Sequence, residues 1–125
     1  MNLNQVTLPA GDMPASIRFY QCLGLNLIVQ SQSRYARFEA PDGDSTLSIH
    51  LAEEGTPPST TIIYFEVPDV TATVKTLEAK GIAFNQPVTD QSWLWKEARL
   101  SDPFGNPIII YFAGKNRKTP PWRLE

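Results

Sequence analysis

The side chains that could carry chemistry in this chain are a single histidine, a carboxylate in an apolar segment, and a set of aromatic and arginine residues. His50 lies near the end of segment 46–51, and Glu66 lies in the apolar segment 61–67. A carboxylate withdrawn from water by apolar neighbours can serve as a general base. His50 and Glu66 are therefore the candidate catalytic residues, although a lone histidine on a sheet is more commonly a hydrogen-bonded pocket residue.

Strand alternation divides the side chains into two faces, because successive residues of a strand point to opposite sides of the sheet. One face is apolar enough to pack under helices. The other mixes aromatic, arginine, glutamate and histidine side chains, which is the composition of a ligand pocket. The predicted ligand-binding residues on this second face are Gln5, Arg37, Ser48, His50, Ile62, Tyr64, Glu66, Trp93, Trp95, Arg99, Ile109 and Tyr111.

Structural explanations compete with ligand binding for several of these residues. Trp93 and Trp95 could stack on a ligand or form a rim against the tail or a partner subunit. Arg37 and Arg99 could pair with nearby glutamates in a structural network. Both readings remain open from the sequence.

The elements that must position these residues form an internal repeat. Asp12 and Gly24 recur as Asp69 and Gly81, both 57 residues later (69 − 12 and 81 − 24). An aspartate before a helical stretch and a glycine after it are typical helix caps. The pattern predicts helices from about residue 13 to 23 and over 70–80. Strands are predicted over 5–9, 25–30, 35–39, 46–51, 61–67, 84–88, 93–100 and 107–112.

This repeat predicts two βαβββ units within a single domain over residues 1–125. Unit one covers about residues 4–52, unit two about 61–113, and residues 114–125 form a tail. Three strands follow each helix through short turns, and strands joined in this way are largely antiparallel. The predicted class is therefore α+β rather than a doubly wound parallel sheet.

Composition excludes several classes of function. The net charge of −2 argues against nucleic-acid binding, which requires a basic surface. No apolar run approaches the ~20 residues needed to span a bilayer. Cys22 is the only cysteine, so no intrachain disulfide can form, which favours a cytoplasmic location.

Two motifs carry a resemblance to a known family. The first is Val6-Thr7-Leu8-Pro9 followed by Asp12-Met13 and Leu23-Gly24-Leu25, and the second is Asp102-Pro103-Phe104-Gly105-Asn106-Pro107 before the last strand. With these motifs the chain resembles the vicinal-oxygen-chelate superfamily, which includes glyoxalase I, bleomycin-resistance proteins and extradiol dioxygenases. The resemblance covers about residues 4–113. It implies two units that form a curved mixed sheet around a cavity, with helices outside.

The resemblance also implies metal ligands on the first and last strand of each unit. In this chain those positions hold Gln5, Ser48, Ile62 and Ile109. Only Gln5 could ligate, and its neutral amide is a weak ligand by itself, so neither a metal nor another cofactor is expected. A relocated site of Gln5, His50 and Glu66 is the alternative.

The resemblance and these departures together favour a metal-independent small-molecule binding protein that sequesters an aromatic or cationic ligand. The alternative is a glyoxalase I-like lyase or isomerase, or another enzyme of the superfamily, with a degenerate or relocated metal site. Whether the chain is an enzyme stays open. Family members often dimerise, and Pro120-Pro121-Trp122 offers a stiff segment with an apolar anchor, so a homodimer is expected.

Overall fold

The computed structural model describes all 125 residues, which divide into two compact units. Unit one comprises Met1–Thr61 together with Asp102–Asn106, and unit two comprises Ile62–Ser101 together with Pro107–Glu125. Each unit contains one α-helix and one four-stranded mixed sheet, which confirms the α+β class and the two βαβββ units. The assignment of both units to a single domain stays a prediction. Neither α-helix is long and apolar enough to cross a membrane.

Unit one begins with a strand and a helix and continues with three strands. These are β1 (Gln5–Ala10), α1 (Met13–Cys22), β2 (Asn26–Ser31), β3 (Tyr35–Glu39) and β4 (Thr46–Leu51). The sheet order is β1-β4-β3-β2. β1 pairs with β4 in parallel, and the other two pairings are antiparallel.

Unit two repeats this topology. Its elements are β5 (Ile63–Glu66), α2 (Val70–Ala79), β6 (Gln86–Asp90), β7 (Lys96–Ser101) and β8 (Pro107–Phe112), followed by a short 3-10 helix over Gly114–Arg117. The order β5-β8-β7-β6, with β5 parallel to β8, matches that of unit one strand for strand.

The repeated aspartates and glycines cap the helices as predicted. Asp12 and Asp69 each accept a hydrogen bond at 3.0 Å from the backbone N–H three residues later. These bonds satisfy amides that have no partner within the helix. Gly24 and Gly81 follow the helices with φ of +100° and +91°, a conformation that glycine adopts without steric cost.

The apolar faces of the two sheets form the cores, as strand alternation predicted. In unit one the ring of Tyr20 on α1 lies 5.6 Å from that of Phe38 on β3, and both side chains are fully buried. In unit two, α2 contributes buried apolar side chains above the buried residues of β7 and β8. The buried apolar residues of these sheet faces are Leu8, Ala36, Phe38, Leu47 and Ile49 in unit one and Ala98, Leu100, Ile108 and Ile110 in unit two. The buried residues that α2 contributes are Val70, Val74 and Leu77.

Five predicted strands differ from the structure in their bounds, and β7 and β6 differ most. β7 begins at Lys96 rather than at Trp93, because the chain before it turns back, with Leu94 at φ +69° and the Gln91 N–H donating to the Trp95 carbonyl at 2.8 Å. β6 covers Gln86–Asp90 rather than 84–88, and its register shifts between Gln86 and Thr89. Pro87 lies inside this irregularity and has no N–H to donate to the ladder.

The turn before β8 is a buried polar cluster that belongs to unit one. Asp102 Oδ1 accepts from the N–H groups of Phe104 and Asn106, each at 2.9 Å. Its Oδ2 accepts from the Tyr20 hydroxyl at 2.6 Å and from Asn106 Nδ2 at 2.7 Å. Asn106 Nδ2 also donates to the Pro9 carbonyl at 2.8 Å. The motif therefore ties α1 and β1 to the turn, and its role here is structural.

Candidate functional site

In unit one, the polar face of the sheet carries a connected set of hydrogen bonds around Ser48. Ser48 is fully buried, and its Oγ accepts a hydrogen bond from Gln5 Nε2 at 3.0 Å. The Tyr35 hydroxyl lies 2.7 Å from the same Oγ, and Arg37 Nε donates to that hydroxyl at 2.9 Å. Three of the predicted site residues, Gln5, Arg37 and Ser48, thus belong to one network.

Tyr35, which was not among the predicted ligand-binding residues, is the centre of this network. The hydrogen bond from Ser48 lowers the pKa of Tyr35 below its usual value, burial opposes the change, and the Arg37 guanidinium adds to the lowering. His50 is opposite Tyr35 in the β3–β4 register, and the two rings are 6.5 Å apart. His50 itself is exposed.

In unit two, the corresponding face carries a cluster of three aromatic rings, which we call the aromatic cluster: Tyr64, Trp95 and Tyr111. The Trp95 and Tyr111 rings stack with centroids 4.9 Å apart and an angle of 30° between their planes. Tyr64 meets both edge-on, at 5.8 Å and 5.3 Å. Tyr111 is buried, whereas Tyr64 is 42% exposed. The aromatic cluster is therefore buried at Tyr111 and accessible to solvent at Tyr64.

Glu66 lies beside this cluster with both carboxylate oxygens engaged. Its Oε2 accepts hydrogen bonds from the N–H groups of Ala113 and Gly114, each at 2.9 Å, and its Oε1 lies 3.9 Å from Arg117 Nε. These contacts hold the start of the 3-10 helix against β5. Burial raises the pKa of Tyr111, and the charge of Glu66 raises it further.

A second carboxylate on this face, Glu97, is fully buried and explains the position of Trp93. Trp93 Nε1 donates to Glu97 at 3.0 Å, Gln91 Nε2 donates to it at 3.4 Å, and Arg99 forms an ion pair with it at 3.6 Å. Arg99 therefore has a carboxylate partner on its own sheet, and its role in ligand binding stays a prediction. The turn, rather than strand alternation, brings Trp93 to this face.

A shallow pocket of about 360 Å³ lies next to the aromatic cluster on the sheet of unit two. Its lining includes Gln86, Arg99 and Ile109, which are paired in one row across β6, β7 and β8. The same row continues to Tyr64, the partner of Ile109 on β5. Four predicted site residues of unit two, Tyr64, Arg99, Ile109 and (one row further) Tyr111, therefore share one continuous surface.

The four positions at which the family resemblance implies metal ligands do not present a metal-binding donor set. The Gln5 amide is engaged on both sides, because Nε2 donates to Ser48 and Oε1 accepts from Thr46. Ser48 offers a neutral, fully buried hydroxyl, and Ile62 and Ile109 have no donor atom. First-row divalent ions prefer imidazole, thiolate and carboxylate ligands. No three His, Cys, Asp or Glu side chains in the chain are grouped so that they could hold a metal ion.

Comparison with known protein families assigns the chain to one superfamily. The Glyoxalase/Bleomycin resistance protein/Dioxygenase superfamily matches residues 2–110. The chain belongs to this superfamily. The family resemblance inferred from the repeat and the Asp102–Asn106 turn is thereby confirmed. A comparison with curated protein sequences gives no match.

Solved structures of the superfamily share the fold at low sequence identity. A lactoylglutathione lyase from Agrobacterium tumefaciens is 18% identical, with a TM-score of 0.73 over 89% of this chain and 92% of the other. A glyoxalase/bleomycin resistance protein/dioxygenase from Nocardioides is 23% identical, with a TM-score of 0.76 over 100% of this chain and 90% of the other. A superfamily member from Sphaerobacter thermophilus is 21% identical, with a TM-score of 0.74 over 90% and 97%. These likenesses establish the fold and leave the activity to the residues of the site.

Proposed function

We propose that this superfamily member is a metal-independent small-molecule binding protein that holds a planar aromatic or cationic ligand. The observation that supports the proposal is the surface of unit two, where the aromatic cluster adjoins the pocket lined by Arg99 and Ile109. A pocket of about 360 Å³ is within the range of small-molecule sites, which combine apolar walls with a few polar groups.

The half-exposed ring of Tyr64 is the part of the cluster that a ligand can reach. Its partners Trp95 and Tyr111 fix its position through edge-on contacts. A ring held in this way presents its face or edge to a ligand with little conformational entropy left to lose. A planar ligand gains about 0.5–1.5 kcal/mol per ring contact beyond area burial, and a cation gains a similar amount over a ring face.

The proposal is tested by replacing Tyr64 and measuring the binding of three simple probes. The probes are benzyltrimethylammonium, benzyl alcohol and benzenesulfonate, which present similar rings with positive, neutral and negative charge. Tryptophan fluorescence is read in a Trp93→Phe, Trp122→Phe background, so that Trp95 is the only tryptophan. We expect saturable quenching by the cation or the neutral probe, and an affinity about threefold to tenfold weaker in Tyr64→Ala.

Phe112→Ala is the matched control for this experiment. Phe112 is on β8, is 44% exposed, and lies on the opposite side of the strand from Tyr111. Its removal deletes a similar exposed ring without touching the proposed surface. Equal weakening in the two variants, or no saturable binding of any probe to the parent protein, would contradict the proposal.

The weaker candidate is a lyase or isomerase of the glyoxalase I type, which needs a metal to polarise its substrate. The vacant ligand positions count against it, so we expect no tightly held Zn, Ni, Mn or Fe after the protein is incubated with each metal and repurified. One bound ion per chain that is lost in His50→Ala would replace our proposal with the relocated site. Catalytic roles for His50 and Glu66, with or without a metal, stay predictions.

A cytoplasmic homodimer completes the proposed function. Trp122 and Leu124 in the tail are 57% and 90% exposed, so these apolar side chains have not found a docking surface within their own chain. A second copy of the chain is the partner we propose for them.

A further inference from the structure

The orientation of the Gln5 amide determines how the hydrogens are shared around Tyr35. Gln5 Nε2 lies 3.2 Å from the carbonyl oxygen of Val6, which can only accept a hydrogen bond. The amide nitrogen must therefore be on this side, where it also donates to Ser48 Oγ. This leaves the amide oxygen facing the Thr46 hydroxyl, which donates to it.

The hydroxyl of Ser48 must then donate to Tyr35. Ser48 is fully buried, and a buried hydroxyl without an acceptor is costly. Its neighbours are Gln5 Nε2, which donates, and the Tyr35 oxygen at 2.7 Å, so the Tyr35 oxygen is the remaining acceptor. Arg37 Nε also donates to that oxygen. The Tyr35 oxygen thus receives two hydrogen bonds, and its own proton has no acceptor in the protein.

Arg37 adds a positive charge beside this free phenol proton, with its guanidinium carbon 5.5 Å from the centre of the Tyr35 ring. Arg37 takes no part in the ion pairs Lys96–Asp90, Arg99–Glu97 and Arg117–Glu66. Glu39, two residues along the same strand face, accepts a hydrogen bond from the Asn26 amide at 2.8 Å instead. Only Nε of the guanidinium is used by Tyr35, which leaves the two terminal nitrogens for another acceptor.

We propose that Tyr35, Arg37 and His50 form a binding site for a small oxyanion, such as a carboxylate or a phosphate, on the polar face of unit one. The phenol proton and the terminal guanidinium nitrogens are donors without acceptors, and the exposed His50 ring stands beside them. Arginine and a phenol hydroxyl make short, charge-assisted hydrogen bonds to anionic oxygen. This site is independent of the aromatic cluster and of the function proposed for it.

The lowered pKa of Tyr35 agrees with this assignment, because two hydrogen bonds to the phenol oxygen make its remaining proton a better donor. A bound anion would oppose ionisation of the phenol and raise the pKa of Tyr35 again. The charged and titratable groups on this face are Tyr35, Arg37, Glu39 and His50.

The experiment uses His50 as its reporter, because it is the only histidine in the chain. The NMR signals of its imidazole are followed while the full-length protein is titrated with benzoate and, separately, with inorganic phosphate, at constant ionic strength. We expect saturable shifts of these signals with at least one probe. The probe that binds with the higher affinity shows whether the site prefers a carboxylate or a phosphate.

Three variants separate the site from a general effect of charge. Arg37→Gln should weaken the affinity for the probe at least tenfold. Tyr35→Phe keeps the ring but loses the hydrogen-bond donor, and it should weaken the affinity about threefold to tenfold. Arg18→Gln removes the same charge from the exposed surface of α1 and should leave the affinity unchanged. Circular dichroism checks that each variant is folded. Shifts that do not saturate with either probe, or equal losses in Arg37→Gln and Arg18→Gln, would overturn the proposal.

Discussion

The hydrogen bond between Tyr20 and Asp102 allows the most direct test of the structure. Tyr20 is fully buried, and its hydroxyl donates to the Asp102 carboxylate at 2.6 Å, the short distance typical of a charged acceptor. Burial and the neighbouring carboxylate hold the pKa of Tyr20 far above its usual range, so the hydroxyl stays protonated and donates at every accessible pH. Tyr20→Phe removes this donor and keeps the ring.

The expected loss follows from what remains in the pocket. Asp102 keeps three of its four hydrogen bonds, from the N–H groups of Phe104 and Asn106 and from Asn106 Nδ2. No water can replace the lost donor without a cavity, and the ring itself leaves only the volume of one oxygen. A hydrogen bond to a charged group contributes about 1.5–3 kcal/mol, so we expect a loss of about 2–3 kcal/mol in the free energy of unfolding. For a chain of this size the melting temperature should fall by about 6–12 °C.

Chemical denaturation with circular dichroism measures this loss, with Tyr64→Phe as the control. Tyr64 is 42% exposed and its hydroxyl makes no hydrogen bond within the protein, so its removal should cost less than about 0.5 kcal/mol. Asp102→Asn should cost more than Tyr20→Phe, because one amide hydrogen would then oppose the donor Nδ2 of Asn106. A Tyr20→Phe protein within about 0.5 kcal/mol of the parent would refute the assigned role of the turn.

Three further predictions concern other parts of the chain. Gly105→Ala, at φ +96° with a proline ring 3.0 Å from the added carbon, should lose about 1–2 kcal/mol more than Gly55→Ala, which has φ +87° and open space, in the same denaturation assay. The pKa of Tyr111 is raised in the folded protein, so the stability that this residue contributes is complete below pH 10.0 and is lost as the pH rises through the folded-state pKa. Glu66→Gln should lower the folded-state pKa of Tyr111, which an ultraviolet titration measures. Deleting residues 118–125 should weaken the proposed homodimer, and light scattering that finds the parent protein monomeric at the 14.0 kDa chain mass would contradict it.

The fold was predictable from the sequence where local chemistry and pattern agreed. Asp12 and Asp69 were predicted as caps from their type and spacing alone, and both accept the expected hydrogen bond. β3, β4 and β8 have the predicted bounds because turn residues flank them. Polar and apolar residues alternate in β3 and β4, whereas β8 is a continuous apolar segment. β7 was predicted too long, because Trp93 and Trp95 fit the alternation of a strand although Leu94 between them adopts a left-handed conformation.

The connections within the site were less predictable, because they depend on partners that are distant in sequence. Strand alternation puts Tyr35 on the same face as Arg37, but its importance comes from Arg37 and a buried Ser48, which both bond to its oxygen. Likewise, the apolar neighbours of Glu66 in the sequence predicted a general base. Its contacts with the N–H groups of Ala113 and Gly114 could not be predicted in the same way, because they depend on where the chain turns after β8. The feature of the sequence that could have indicated this turn is Gly114, which has φ of +56°.

The residues at the implied ligand positions explain why the two units, which share one topology, present such different surfaces. In unit one a small hydroxyl at Ser48 leaves room for Tyr35 and Gln5 to converge above it, and the outcome is a polar network. In unit two, Ile109 is fully buried and packs with Tyr111 and Trp95, so it forms an apolar floor beside the aromatic cluster. A carboxylate at either position would have to be buried against these neighbours, at a cost of several kcal/mol unless it were paired. Ser48 and Ile109 therefore each shape one of the two surfaces on which we propose binding, the first with unpaired donors and the second with aromatic rings.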